Sequence, residues 1–224
     1  MTMKYHKLGD TDIDVSVICL GTMTWGEQNT PAQAFEQMDY AFSHGINFFD
    51  TAELYAIPPR AETYGRTEEI IGDWLRARGI RDRIILASKI AGPGEDWIPH
   101  IRNGKTRFNS IDIGAALDAS LQRLQTDYID LYQLHWPQRK ANYFGKLGFE
   151  VPSDEQVTPI LETLEALGEQ VRAGKIRHIG LSNETPWGLM SFLHYAEQAG
   201  LPRIVSVQNP YSLLNRTYEI GLAE

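Results

Sequence analysis

Short apolar runs alternate with amphipathic stretches along the whole chain. Lys4–Leu8 and Ile13–Val15 flank the turn-rich Gly9-Asp10-Thr11-Asp12, which predicts a short hairpin. Val15–Leu20 is the next compact apolar run, and it closes at Gly21-Thr22-Met23. Thr30-Pro31 then predicts an N-cap with proline at the first helical position. Ala34, Phe35, Met38, Ala41 and Phe42 follow at helical spacing, and Gly45 predicts the stop.

The strand–loop–helix pattern recurs five more times, the last of these helices beginning near Asn215. Apolar strands are expected at Ile46–Phe49, Arg83–Ser88, Tyr128–Leu134, Arg177–Leu181 and Ile204–Val207. Helices are expected over Thr67–Arg78, from a Ser110 cap, from Thr158-Pro159 to Gly174, and from Thr185-Pro186 to Gly200. Two long loops, Ala91–Asn109 and Trp136–Val157, interrupt the rhythm. Strands alternating with helices form right-handed βαβ units and a parallel sheet. The strands are nearly continuous in apolar character, as burial on both faces requires.

An open doubly wound sheet and a (β/α)8 TIM barrel both satisfy this pattern. A doubly wound dinucleotide domain carries Gly-x-Gly-x-x-Gly in its first strand–helix turn. Here that turn reads Gly21-Thr22-Met23-Thr24-Trp25-Gly26, and Gly92-Pro93-Gly94 lacks the third glycine. Polar, chemically capable residues instead stand at the C-terminal ends of the strands: Asp50, Lys89, His135, Ser182-Asn183 and Gln208-Asn209. A barrel gathers those ends on one face, and the α/β barrel is therefore the expected fold. About six of its eight βα units are present. Ile220–Glu224 reads as the middle of a helix, so a single barrel domain over residues 1–224, incomplete at its C-terminus, is expected.

Composition narrows the function classes. The chain has 224 residues and a formal charge of −8, which argues against a polyanion partner. Its single cysteine, Cys19, excludes a disulfide framework, fits a reducing compartment and is expected as a small core residue. The N-terminus has no signal-peptide pattern and no stretch reaches membrane-span length, so a cytoplasmic protein is expected. No metal-ligand spacing stands out.

Singly, the strand-end residues have plain structural readings. Asp50 could cap a turn, Ser182-Asn183 could cap the helix at Pro186, Trp25 could pack over the barrel mouth, and His135 could be a satisfied histidine. Lys89 at the end of an apolar strand is the hardest to explain that way, because lysine is rarely buried unpaired. Jointly, Asp50-Thr51-Ala52-Glu53-Leu54-Tyr55, Lys89 and His135 resemble the catalytic tetrad of the aldo-keto reductase superfamily. Gly21-Thr22-Met23, the segment Gly174–Asn183, and Gln208-Asn209-Pro210-Tyr211-Ser212 resemble its cofactor-binding stretches. Trp136-Pro137-Gln138 and Phe144–Gly148 are similar to the bacterial Tas-like branch, related to potassium-channel β-subunits.

The resemblance implies an NADP(H)-dependent reductase of aldehydes or ketones. Tyr55 would be the general acid, Lys89 a nearby ammonium lowering the phenol pKa, Asp50 the carboxylate orienting Lys89, and His135 a hydrogen-bond donor to the carbonyl. It further implies Gly21, Thr22, Met23, Asp50, Ser182, Asn183 and Gln208 as cofactor contacts, and Trp25 with His135 in the substrate pocket. The partner expected is a small carbonyl compound, with homo-oligomerisation left open. A nicotinamide-binding regulatory module and an inactive truncated fragment are the alternatives.

Overall fold

The computed structural model describes residues 2–151 and 156–223. Strands β1 (Tyr5–Lys7) and β2 (Asp14–Ser16) pair antiparallel as the expected hairpin. Six further strands form one sheet: β3 (Cys19–Gly21), β4 (Phe48–Asp50), β5 (Ile85–Ile90), β6 (Ile129–Leu134), β7 (Ile176–Ser182) and β8 (Ile204–Gln208). They are parallel throughout and neighbours follow chain order. Helices α1 (Pro31–Ser43), α2 (Arg66–Arg78), α3 (Ser110–Leu124), α4 (Ile160–Arg172) and α5 (Pro186–Ala199) make the crossovers. In-order parallel pairing is the wall of a TIM barrel, curled over six strands, and it excludes the doubly wound order.

The sequence signals act as expected at most helix ends. Thr30 forms a capping box with Gln33, and Thr185 Oγ1 accepts the Gly188 N–H at 3.2 Å. Asn109, not Ser110, caps α3, accepting the Asp112 N–H at 2.9 Å. The helix expected near Asn215 is a single 3₁₀ turn, Thr217–Ile220, and Ile220 is exposed. With no apolar face buried, a short helix has little to hold it. Residues 152–155 of the expected loop Trp136–Val157, and Glu224 at the chain end, lie outside the described residues.

The run Val15–Leu20 serves two sheets rather than one. Ser16 ends the hairpin, where its N–H donates to Asn47 Oδ1 at 2.8 Å and its hydroxyl to the Ile18 carbonyl at 2.6 Å. The chain turns there, leaving Val17 and Ile18 exposed, and β3 begins only at Cys19. Cys19 lines the inner hollow of the sheet, is exposed there, and is not the core residue expected.

The main core fills the space between the outer sheet face and the helices, with Trp74 of α2 stacked on Phe49 of β4 at 5.5 Å. Two ion clusters are buried within this layer. Asp130 accepts from Arg81, Arg177 and the Leu86 N–H, and Glu68 accepts from Arg123 and Ser88. A second apolar cluster, including Leu54, Tyr55, Ala91, Ile98 and Trp136, sits where β4, β5 and β6 end.

Helix α2 packs tightly against α3 at Gly72, where an added Cβ would lie 2.3 Å from the Arg123 carbonyl oxygen. Helix propensity alone favours alanine there by about 1 kcal/mol. Overpacking costs about 1–3 kcal/mol, so Gly72→Ala is expected to destabilise the fold. Urea unfolding decides between the two effects, and a stabilised variant would mean the helices separate without cost.

Candidate active site

Strand alternation sets the site. On β5, Ser88 points outward to Glu68, donating at 2.5 Å, while Lys89 points inward. Asp50, the last residue of β4, meets Lys89 there. Lys89 Nζ donates to Asp50 Oδ2 at 2.6 Å and to the Thr51 carbonyl at 2.8 Å. Lys89 is 1% exposed, so each of these bonds replaces lost hydration. Gln133, in register with Lys89 on β6, donates to Asp50 Oδ1 at 3.3 Å.

Tyr55 and His135 close the group. Lys89 Nζ lies 5.0 Å from the Tyr55 ring centroid, and the rings of Tyr55 and His135 meet edge-on at 5.6 Å. The His135 N–H continues the β5–β6 pairing onto the Ile90 carbonyl at 3.0 Å, which fixes the histidine at the strand end. The four residues named from the sequence are therefore brought together.

Ser182, Asn183 and Gln208 stand on the opposite bank. Ser182 pairs in register with Gln208. Asn183 has a left-handed backbone, φ 53°, and its Nδ2 donates to the His135 carbonyl at 2.9 Å. Neither residue caps α5, since Thr185 does so. All three line a cleft of about 530 Å³ together with Tyr55, Lys89 and His135.

Other expected contacts fall differently. Thr22 is buried and donates its hydroxyl to the Asp50 carbonyl at 2.8 Å, so it braces the site from below. Gly21 pairs with Asp50 across the sheet and has open space beside its Cα. Of that loop only Met23 lines the cleft. Trp25 does not line it. At 1% exposure it is packed in the main core, with its indole N–H donating to Gln37 of α1 at 2.9 Å. Besides Tyr55, the cleft is lined by the aromatics Trp97, Trp136 and Phe144, with Trp97 and Trp136 at 5.2 Å. The sequence marked Trp136 and Phe144 only as parts of family-like loop motifs, not as site residues, and it missed Trp97, Gln133 and Glu53. Gln133 was findable, because it stands two residues before His135 on one strand. Trp97 and Phe144 lie in irregular loops that carry no such period.

The electrostatics revise one expectation. Burial pushes the Tyr55 phenol above its ordinary value, the Lys89 charge pulls it back, and Asp50 adds to the rise. The net direction is upward, because desolvation outweighs the ammonium. Burial works against the Lys89 ammonium, but Asp50 and Tyr55 outweigh it and hold its pKa up. Burial, reinforced by Lys89, holds His135 well below its ordinary 6.5, so the imidazole is neutral at pH 7. Its Nδ1 is buried without a partner. Among the described residues no group of three His, Cys, Asp or Glu side chains is arranged to hold a metal ion. No described helix is long and apolar enough to cross a membrane.

In-order parallel strands whose C-terminal ends converge on one cleft define an α/β-barrel enzyme scaffold. The chain belongs to the aldo/keto reductase family of oxidoreductases, whose sequence model matches residues 17–224. It is 52% identical to Protein tas of Escherichia coli (strain K12), over 99% of this chain and 64% of that protein. It is 39% identical to the uncharacterized oxidoreductase YrpG of Bacillus subtilis (strain 168), over 97% of this chain and 61% of that protein. The chain thus spans under two thirds of the length of these relatives. Among solved structures, the thermostable aldo-keto reductase Tm1743, crystallised with the inhibitor epalrestat, matches with a TM-score of 0.74 and 28% identity. That match covers 98% of this chain and 66% of the other.

The depressed His135 pKa carries a pH signature. The folded state binds fewer protons than the unfolded state, so this contribution to stability is complete above the unfolded value near 6.5 and is lost as pH falls below it. Denaturant unfolding at pH 7 and pH 5 is expected to show a stability loss of up to about 1.4 kcal/mol per pH unit from this group. In His135→Asn that increment should vanish; an unchanged slope would mean the imidazole protonates freely in the fold.

Proposed function

We propose that this chain carries the proton-transfer site of an NADP(H)-dependent reductase converting aldehydes or ketones to alcohols. The observation that carries the proposal is the chain of contacts from Asp50 through Lys89 to Tyr55. A buried ammonium, locked 2.6 Å from a carboxylate, faces a buried phenol at the floor of an open cleft.

Each residue has a physical task. The raised pKa keeps Tyr55 protonated at neutral pH, so it waits as a loaded general acid. When negative charge develops on the substrate oxygen, the phenol proton passes to it and leaves a phenolate. Lys89 stabilises that phenolate at the moment it forms, in a site where water screens little. Asp50 holds Lys89 charged and pointed. Neutral His135 can donate one ring N–H to the carbonyl oxygen and orient it, without competing for the proton.

The cofactor half fits the donor set. The exposed Gln208 side chain, with Ser182 and Asn183 beside it, offers the amide and hydroxyl groups that would hold a carboxamide. When bound, the reduced nicotinamide supplies a hydride to the carbonyl carbon. The choice of NADP(H) over NAD(H) rests on family resemblance, as does the assignment of Gly21, Thr22 and Met23 to the cofactor, of which only Met23 lines the cleft. The cleft's aromatic walls suit small carbonyl compounds.

Tyr55→Phe is the direct test. In the protein carrying this chain, kcat for aldehyde reduction, followed by NADPH absorbance, should fall by about 10²–10⁴-fold. NADPH affinity by fluorescence titration should change less than about twofold, since the phenol is not assigned to cofactor binding. A variant turning over at the parent rate would remove Tyr55 from the reaction.

A further inference from the structure

Glu53 lies between Asp50 and Tyr55 in the chain, and the chemistry above does not use it. Its side chain is fully buried. Three neighbouring residues converge on its carboxylate. The Ala91 N–H donates to Oε1 at 2.6 Å, and the Tyr64 hydroxyl donates to Oε2 at 3.0 Å. Arg102 grips both oxygens, with Nη1 3.1 Å from Oε2 and Nη2 on Oε1. The Glu53 N–H itself donates to the Lys89 carbonyl at 3.1 Å. The partners come from the end of β5, the segment before α2 and the long loop between β5 and α3.

The geometry around Arg102 is costly in backbone terms. Arg102, Asn103 and Gly104 have φ of 48°, 56° and 69°, a left-handed run that includes two residues with side chains. Such strain persists only where the surroundings over-determine it. Arg102 Nε is held as well, donating to Thr106 Oγ1 at 3.1 Å. A buried ion pair is weak evidence for stability, since apolar residues often serve as well. What a two-pronged Arg–carboxylate contact adds is fixed direction.

That direction bears on the proton donor. Glu53 is bonded to both Lys89 and Ala91, and it is two residues from Tyr55. The Tyr55 N–H donates to the Ala52 carbonyl at 3.1 Å, so the phenol ring rides on a tight turn whose two inner residues are Glu53 and Leu54. A shift of Glu53 would be passed along this turn to Tyr55.

We propose that Glu53 and Arg102 form a buried clamp that positions Tyr55 against Lys89. They are positioning residues for proton delivery, and the proposal rests on Tyr55 being the proton donor. The test compares Glu53→Gln, Arg102→Met, Tyr64→Phe and Tyr55→Phe in the protein carrying this chain, with benzaldehyde and NADPH. In Glu53→Gln and Arg102→Met, kcat is expected to fall about 10–100-fold, the scale of a small misplacement of a catalytic group. KM and NADPH affinity should stay within about twofold, a split that general structural damage would not produce. Tyr64→Phe removes one donor and leaves the Arg102 contact, so a several-fold fall in kcat is expected.

Parent-level kcat in folded Glu53→Gln and Arg102→Met overturns the clamp, as does a parallel loss of turnover and cofactor binding. If those two variants fail to fold, an unchanged kcat in Tyr64→Phe overturns it and a several-fold fall supports it. The two ideas fail separately. Turnover by Tyr55→Phe removes the proton donor whatever Glu53 does. An inactive Tyr55→Phe beside a fully active Glu53→Gln removes the clamp alone.

Discussion

The Asp50–Lys89 contact is the constraint on which the site depends. An ammonium at 1% exposure has given up nearly all its water, and only a partner of opposite charge with good geometry can offset that loss. Asp50 supplies the charge, and the Thr51 carbonyl supplies a second acceptor. Gln133 and Thr22 then occupy the remaining Asp50 groups, one at the side chain and one at the backbone. The strands that carry these residues must pair in the observed register for the ammonium to be satisfied. Sheet order and site chemistry are therefore one requirement.

Much of the fold was legible because its signals are local. The six strands, the caps at Thr30 and Thr185, and the glycine stops at Gly79 and Gly200 follow from short-range periodicity and capping chemistry. The four strand-end residues were legible because polar groups that close apolar runs are conspicuous. What escaped was set by tertiary packing. Trp25 looked like a mouth residue, but α1 offered Gln37 as a partner for its indole N–H and closed over it. Cys19 sat in an apolar run, but on β3 it lines the inner hollow of the sheet rather than the core between sheet and helices. Trp97 and Phe144 reach the cleft from irregular loops, whose path through space carries no strand or helix period.

The electrostatic revision has the same origin. A lysine beside a tyrosine suggests a lowered phenol pKa, and the lysine does pull in that direction. Burial is invisible in the sequence, and at Tyr55 it is the larger effect. His135 shows it more strongly, since desolvation and the same ammonium act together. The site thus holds a phenol kept protonated and an imidazole kept neutral near neutrality, and both states come chiefly from exclusion of water.

Ser88 and Lys89 face opposite sides of one strand, the first toward Glu68 and the second toward Asp50. A slip of a single residue in β5 would exchange them, placing the ammonium among the helices and a hydroxyl in the cleft. Under the proposed proton-transfer role, turnover by the protein carrying this chain would therefore report on strand register. A misthreaded sheet could keep its secondary structure and much of its compactness and still be silent, so catalysis would read out fidelity of assembly more finely than any measure of helix or strand content.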